Sequence, residues 1–457
     1  MVLGEYADTG AHWTVVVRPT VVAMAGAAIA QMALMVLRQS PTRSATVTIV
    51  LLLLLSGSRA GFAFVGAAGL IALLWFARRR SLPSIQPATA FVLAAAFLTA
   101  AVGRVFVEGT ITVEDIVSAP RVSASAPATA PSIYIVVLDA YARQDTLASM
   151  GYDNEPFLAE LERRGFDVYR DSRSNYTWTS STLASMLNMR PLHEIPELPD
   201  RGSPDRQQTR ALRRAINSAF GLEMLRENGY RLVAIPPLAD YVVLRDVDAF
   251  LDPGQLTEFE IHLLQDTTLA GIVGIVAPDF VGAQHRDRIS DSFARVTPQP
   301  RPTLLLAHVI SPHHPFVFDA EGRALPMPNC FPRCWFWEPW DTFSPSEFAE
   351  GYVAQVQFVN RETLAAVDRV ITGDPEAVVV IMGDHGSRGV PSDEDEQFRN
   401  LLTIRSPGHP RLLGDGPTPV NLLGSILGAY LDIEVPNWPD DQYAGRHLDA
   451  VRVAPVQ

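Results

Sequence analysis

Apolar positions fall into two regimes along the chain. Up to residue 107 they come in runs long enough for a bilayer. Pro19 to Leu37 is apolar apart from Thr20 and Gln31, and Pro87 to Val107 carries only Arg104 as a charge; each is close to the ~20 residues that a helical span needs. Ala45 to Ala77 is longer and is broken by Ser56, Gly57, Ser58 and Arg59, so it reads as one long span or a tight hairpin of two. Beyond residue 131 the runs shorten. Ile133 to Leu138, Thr303 to Ile310 and Val378 to Met382 are continuous and rich in β-branched residues, the pattern of strands buried on both faces.

Between these runs the period changes to that of amphipathic helices. Ala140 to Met150, Asn154 to Phe166 (closed by Gly165), Leu183 to Leu187, Arg210 to Asn228, one or two helices in Gln255 to Val276, Phe348 to Ile371, and Thr418 to Leu431 all fit. Asp167 to Tyr169 and Tyr230 to Ile235 read as further strands, Leu401 to Ile404 as an edge strand. PSDEDEQFRN reads as an acidic surface loop, and the tail from Asp432 as irregular surface structure. The predicted fold is α/β, a mixed and mainly parallel sheet with helices on both faces, preceded by an N-terminal transmembrane helical region. The boundaries expected are a membrane region over 1–107, a Ser/Ala/Pro-rich linker over 108–131 and an extracytoplasmic domain over 132–457.

Charge sharpens the topology. All 37 basic residues are arginine. Arg38 and Arg43 precede the long apolar segment and Arg78, Arg79 and Arg80 follow it; two spans put both clusters in the cytoplasm, which favours four spans over three. Everything after about residue 108 then faces the periplasm or exterior of an inner or plasma membrane. Residues 1–104 carry eight arginines against Glu5 and Asp8, a net of +6, so the remainder of a chain of net charge −13 carries −19. Such an acidic body argues against nucleic acid as a partner.

Candidate chemistry sits at the ends of the predicted strands. VVVIMGDHGSR places Asp384 and His385 between Gly383 and Gly386, where a carboxylate and an imidazole can share one cation or simply form a satisfied turn. Asp139 follows the first strand, at the sheet edge where α/β proteins hold ligands, or it caps the next helix. SNYTWTSSTLASMLN sets several hydroxyls ahead of an apolar helix, where a hydroxyl either caps or acts as a nucleophile favoured by the helix dipole. His308, His313 and His314 cluster at the end of another strand. His262 and His285 have no partner motif and read as packed or surface residues. Cys330 and Cys334, the two cysteines, read as a small disulfide-closed loop outside the cytoplasm, followed by a Trp-rich stretch suited to a lid or to lipid headgroups.

Asp139 after a strand, the Thr-rich turn, SPHHPF and the late Gly-Asp-His-Gly together resemble the sulfatase-like branch of the alkaline phosphatase superfamily. Within it they are most similar to membrane-anchored lipoteichoic acid synthases and phosphoethanolamine transferases, over about residues 132–435. The resemblance implies one divalent metal ion, Mn²⁺ or Zn²⁺ with Mg²⁺ or Ca²⁺ also open, held by Asp139, Thr179, Asp384 and His385. It implies Thr179 as nucleophile, with Thr177 and Ser180 as alternatives, and His313 or His308 at the leaving group. His308, His314 and Arg388 are the implied substrate contacts. Further metal ligands of two-metal members are not found. No Cys-x-Pro-x-Arg segment occurs, which disfavours sulfate-ester cleavage through formylglycine. The function expected is that of a membrane-anchored, metal-dependent hydrolase or phosphotransferase on phospholipid headgroups or envelope glycans. The alternatives are a catalytically silent scaffold and a simple phosphatase or sulfatase.

Overall fold

The computed structural model describes residues 130–265, 269–328, 331, 342–389 and 394–453. Its strands are β1 (Ile133–Leu138), β2 (Asp167–Val168), β3 (Arg231–Ile235), β4 (Ala249–Phe250), β5 (Thr303–Val309), β6 (Val378–Gly383), β7 (Leu402–Arg405), β8 (Gln442–Ala444) and β9 (Val451–Val453). The helices are α1 (Gln144–Ser149), α2 (Glu155–Arg163), α3 (Thr179–Asn188), α4 (Asp205–Asn217), α5 (Phe220–Glu227), α6 (Glu258–Gln265), α7 (Leu269–Val276), α8 (Phe280–Arg295), α9 (Pro345–Gly373) and α10 (Leu422–Leu431). The predicted spans and the cysteine pair lie outside the described residues. Among the described residues no helix is long and apolar enough to cross a membrane.

Seven strands form one sheet in the order β2-β7-β6-β1-β5-β3-β4. The pairs among β6, β1, β5, β3 and β4 are parallel, while β7 runs antiparallel to both β6 and β2. The sheet is therefore mixed and mainly parallel. Every residue of β1, β5 and β6 is buried, so both faces of the centre are covered, as their unbroken apolar runs require. All ten residues of α3 are buried too, although six of them carry hydroxyls or amides. Helix α9 starts at a capping box, Ser344 with Glu347, with Pro345 in its first turn.

Several sequence expectations change. The helix expected from Ala140 begins only at Gln144, because Ala140 has a left-handed backbone (φ 61°); Asp139 therefore does not cap it. The helix expected over 210–228 is two helices. Asn217 Oδ1 accepts the N–H groups of Arg245 and Asp246, and Asn188 Oδ1 accepts that of Phe220, so partners distant in sequence end one helix and start the next. β7 is an inner strand rather than an edge. The acidic loop is not all surface, since Glu396 and Asn400 are buried, with Asn400 donating to the Gly383 carbonyl at 2.6 Å. Nor is the tail all surface: β8 and β9 form a hairpin, Tyr443 stacks on Tyr176 at 5.1 Å, and His447 is buried.

Residues 256–281 fall outside the compact unit built from 130–255 and 282–453. Within this segment a capping box of Thr257 and Glu260 starts α6, and α7 reads LAGIVGIV with Ile275 and Val276 exposed.

Candidate active site

Strand register brings the distant pieces together. In the ladder between β1 and β6, Leu138 pairs with Gly383, so Asp139 and Asp384 each follow a paired strand end. On the other side Val137 pairs with His308. The turn after β1 is tightly held: the Ala140 N–H donates to Asp384 Oδ1 at 2.9 Å, and the Tyr352 hydroxyl donates to the Ala140 carbonyl at 2.6 Å. Tyr352 in turn accepts the Ala142 N–H at 2.8 Å. Two glycines make this approach possible. A Cβ on Gly383 would run into the Tyr141 carbonyl, and one on Gly386 into that of Glu396.

His385 is oriented by its own turn. Its Nδ1 lies 2.8 Å from the Gly386 carbonyl, so Nδ1 carries the proton and the Nε2 lone pair faces the carboxylates. Nε2 is 3.6 Å from Asp384 Oδ2 and 3.9 Å from Asp139 Oδ1. One ligand atom from each of Asp139, Asp384 and His385 lies within 4.8 Å of the others. His308 Nε2 contacts the other oxygen of Asp139, Oδ2, at 3.1 Å.

Two buried carboxylates this close titrate together. Burial, and then the charge of Asp384, push the Asp139 carboxyl above the usual range; His308 and His385 only partly offset this. Burial also pushes Asp384 up, but His385, His308, the Thr179 hydroxyl and the Ala140 N–H outweigh it and bring Asp384 below the usual range. One negative charge is thus favoured and the second resisted, as for any close carboxylate pair. Asp139 Oδ1 and Asp384 Oδ2 are both buried and make no hydrogen bond of ordinary length. A divalent cation would satisfy both oxygens and remove the repulsion, and a set of two carboxylates and an imidazole suits Mn²⁺, Zn²⁺ or a similar ion.

The remaining predicted site residues are placed as follows. Thr179 opens α3, buried, close enough to Asp384 to favour its charged form. Thr177 is buried and its carbonyl accepts from Arg388; Ser180 Oγ is engaged with His447 Nδ1 at 3.2 Å. The His313 N–H donates to the Asp139 carbonyl at 3.0 Å, folding 311–314 back over the cluster. His313 Nδ1 lies 2.6 Å from the His314 carbonyl, and its ring stacks on that of His314 at 4.3 Å. Burial, then the charge of His314, hold His313 well below the usual imidazole range, so it is neutral at pH 7. The Arg388 guanidinium sits 4.4 Å over the Trp178 ring. Buried His285 packs on Phe331 at 5.3 Å, outside the cluster.

Sequence reasoning missed Tyr352, Arg446 and His447. Tyr352 lies in the helix expected over Phe348 to Ile371 with nothing local to single it out, and the stretch GRH at 445–447 has no pattern to mark it. A cavity of about 620 Å³ between α10 and residues 432–437 holds none of the clustered groups.

No family model and no curated protein matches the chain. Solved structures do. The C-terminal periplasmic domain of EcEptC from Escherichia coli, in complex with Zn, is similar at 12% identity over 66% of this chain and 83% of that one, with a TM-score of 0.44. The integral membrane lipooligosaccharide phosphoethanolamine transferase A from Neisseria meningitidis is similar at 13% identity over 82% and 75%, with a TM-score of 0.42. A 2-O GAG sulfatase is similar at 15% identity over 67% and 72%, with a TM-score of 0.41.

Proposed function

We propose that this protein is a membrane-anchored, metal-dependent phosphodiester hydrolase or phosphotransferase that works through a phospho-threonine at Thr179. One observation carries the reading. Two buried carboxylate oxygens without hydrogen bonds and an imidazole lone pair converge at the end of the central strands, with a hydroxyl at a helix N-terminus beside them.

Asp139, Asp384 and His385 hold one divalent cation, with Thr179 completing the set. When bound, the ion supplies Lewis-acid chemistry, lowering the hydroxyl's pKa and offsetting charge on the transferred group. Thr179 Oγ1 attacks phosphorus, its bond to the leaving oxygen breaks, and neutral His313 passes the proton released from the hydroxyl to the leaving alkoxide. His308 holds Asp139 in place. In the second half, water or an acceptor hydroxyl attacks phosphorus, its proton passes by way of His313 to Thr179 Oγ1, and the bond from Oγ1 to phosphorus breaks.

Residues 1–107 anchor the chain in an inner or plasma membrane, 108–131 form the spacer, and 132–457 face the periplasm or exterior. The anchor keeps the cleft near phospholipid headgroups and envelope glycans, the substrate classes assigned here. The test is intact-mass measurement of the full chain, loaded with Mn²⁺ or Zn²⁺ and incubated with phospholipids. A phosphoryl adduct on the parent and none on Thr179→Ala is expected. An equal adduct on both would remove Thr179 from its role.

A further inference from the structure

Trp178 is an odd residue to stand at the N-cap of α3. No side chain caps this helix start, and an indole offers no acceptor for its free amides. The ring is instead a platform. The Arg388 guanidinium lies over it at 4.4 Å and that of Arg446 at 5.0 Å, while the His447 ring packs on it at 5.4 Å. Arginine stacks well on indole because its delocalised charge is weakly hydrated and meets the negative ring face.

Two guanidinium groups on one indole repel each other, and little here compensates them. Arg388 pairs with no carboxylate among the described residues; its one bond is to the Thr177 carbonyl, and its Nε is buried without a partner. Arg446 approaches one carboxylate, Asp205, at 3.6 Å, with both side chains 59% exposed. In a chain of net charge −13, a cationic pair left so open is a local exception. Trp178 directly precedes Thr179 in the chain, and Arg388 bonds to the Thr177 carbonyl, so both guanidinium groups sit on the turn that presents the Thr179 hydroxyl.

We infer that Trp178, Arg388 and Arg446 form an anion-binding shelf, which takes a second phosphate or carboxylate carried by the substrate beyond the phosphodiester that reacts. The inference rests on the proposed function and deepens it: the preferred substrate is a phosphodiester with another anionic group attached. His447 serves the shelf as a positioning residue, because its ring braces Trp178 and its Nδ1 meets Ser180 in the first turn of α3. Arg446 is the adjustable member, since its exposed side chain can be changed without disturbing packing. Arg388 and Trp178 are tied to the backbone around the nucleophile.

Calorimetry on the Mn²⁺-loaded full chain tests this, in a Thr179→Ala background that prevents turnover. The probes are propyl phosphate and 1,3-propanediol bisphosphate. The bisphosphate is expected to bind about tenfold tighter or better, as for a charge-assisted contact. Arg446→Gln should reduce that advantage to about twofold while leaving propyl phosphate unchanged, and Arg446→Lys should restore part of it. Equal binding of the two probes, equal loss of both in Arg446→Gln, or no binding of either would overturn the shelf. A preference abolished by Arg446→Gln, in a protein whose parent form never gains a phosphoryl group, would keep the shelf and overturn the phospho-threonine chemistry.

Discussion

Thr179 stands between two surroundings of opposite character. On one side, Asp139, Asp384 and His385 are buried at the ends of parallel strands, acidic and locked by backbone register. On the other, Arg388 and Arg446 lie over a half-buried indole, basic and partly open, placed by loops. The first is a rigid arrangement whose cost is like-charge repulsion in a dry place; a cation would relieve it. The second carries the opposite excess at a wetter surface, where an anion would relieve it and salt would screen it. A phosphodiester at Thr179 that carries a second anionic group would answer both. The two sides should therefore fail differently when altered.

The largest effects belong to the buried side. Asp384→Asn should lower turnover by at least about 10³-fold, on the scale seen when a catalytic unit loses a member. Its stability should fall as well, even in chelator. The amide still accepts the Ala140 N–H but loses the attraction of His385 and His308 and the Thr179 contact that hold Asp384 below the usual carboxylate range, so the metal-free variant should melt below the metal-free parent at pH 7. Only the parent should then gain from metal, by about 2.7 kcal/mol at a hundredfold excess over Kd. Calorimetric melting with and without Mn²⁺ checks both halves; a variant that gains as much as the parent would place the cation elsewhere.

His313→Gln comes next, with an expected loss of about 10²-fold in kcat and little change in KM, the usual weight of a positioned proton carrier. Because burial keeps the ring neutral, the amide should not disturb the fold. An unchanged kcat would leave the proton without its carrier. Gly386→Ala probes the rigidity of the same side. The new methyl meets the Glu396 carbonyl, backbone that cannot swing aside, so a loss of about 2–3 kcal/mol is expected by urea unfolding. The equivalent change at Gly408, where an added Cβ meets nothing but the backbone is left-handed (φ +81°), should cost about 1 kcal/mol.

The contrast also explains what the sequence could show. Unbroken apolar runs announced β1, β5 and β6, and the polar residue after each run fell at the carboxyl edge because a strand that ends must turn there. Asp139 and the Asp384–His385 pair were readable for that reason, and His308, inside β5 one residue before its end, by interrupting its run. The basic side had no comparable signal. Trp178 was visible, but its partners come from the far side of the glycine turn and from the C-terminal hairpin, joined by tertiary packing alone. The same blindness made 210–228 one helix, since only Asn217 and Asn188, reaching other loops, break it. It also made β7 an edge strand, because β2, although read as a strand, carries no local sign that it pairs with β7.

His447 gives the smallest and most selective test, because it belongs to the basic side yet is buried. Burial, then the neighbouring Arg446, push its imidazole down to about 4, while Asp205 and Asp449 pull the other way. The unfolded ring titrates near 6.5. A depressed folded value means that the unfolded chain binds the proton first, so this contribution to stability is complete above pH 6.5 and is lost as pH falls through about 4. Across that window the slope from one such group is at most about 1.4 kcal/mol per pH unit. Urea unfolding of the parent and of His447→Asn at pH 7, 5.5 and 4.5 should therefore show a gap that narrows with acid. His285, pushed to about 3 far from the indole, acts in both proteins and cancels from the comparison. A gap constant with pH would mean that His447 supports Trp178 by shape alone.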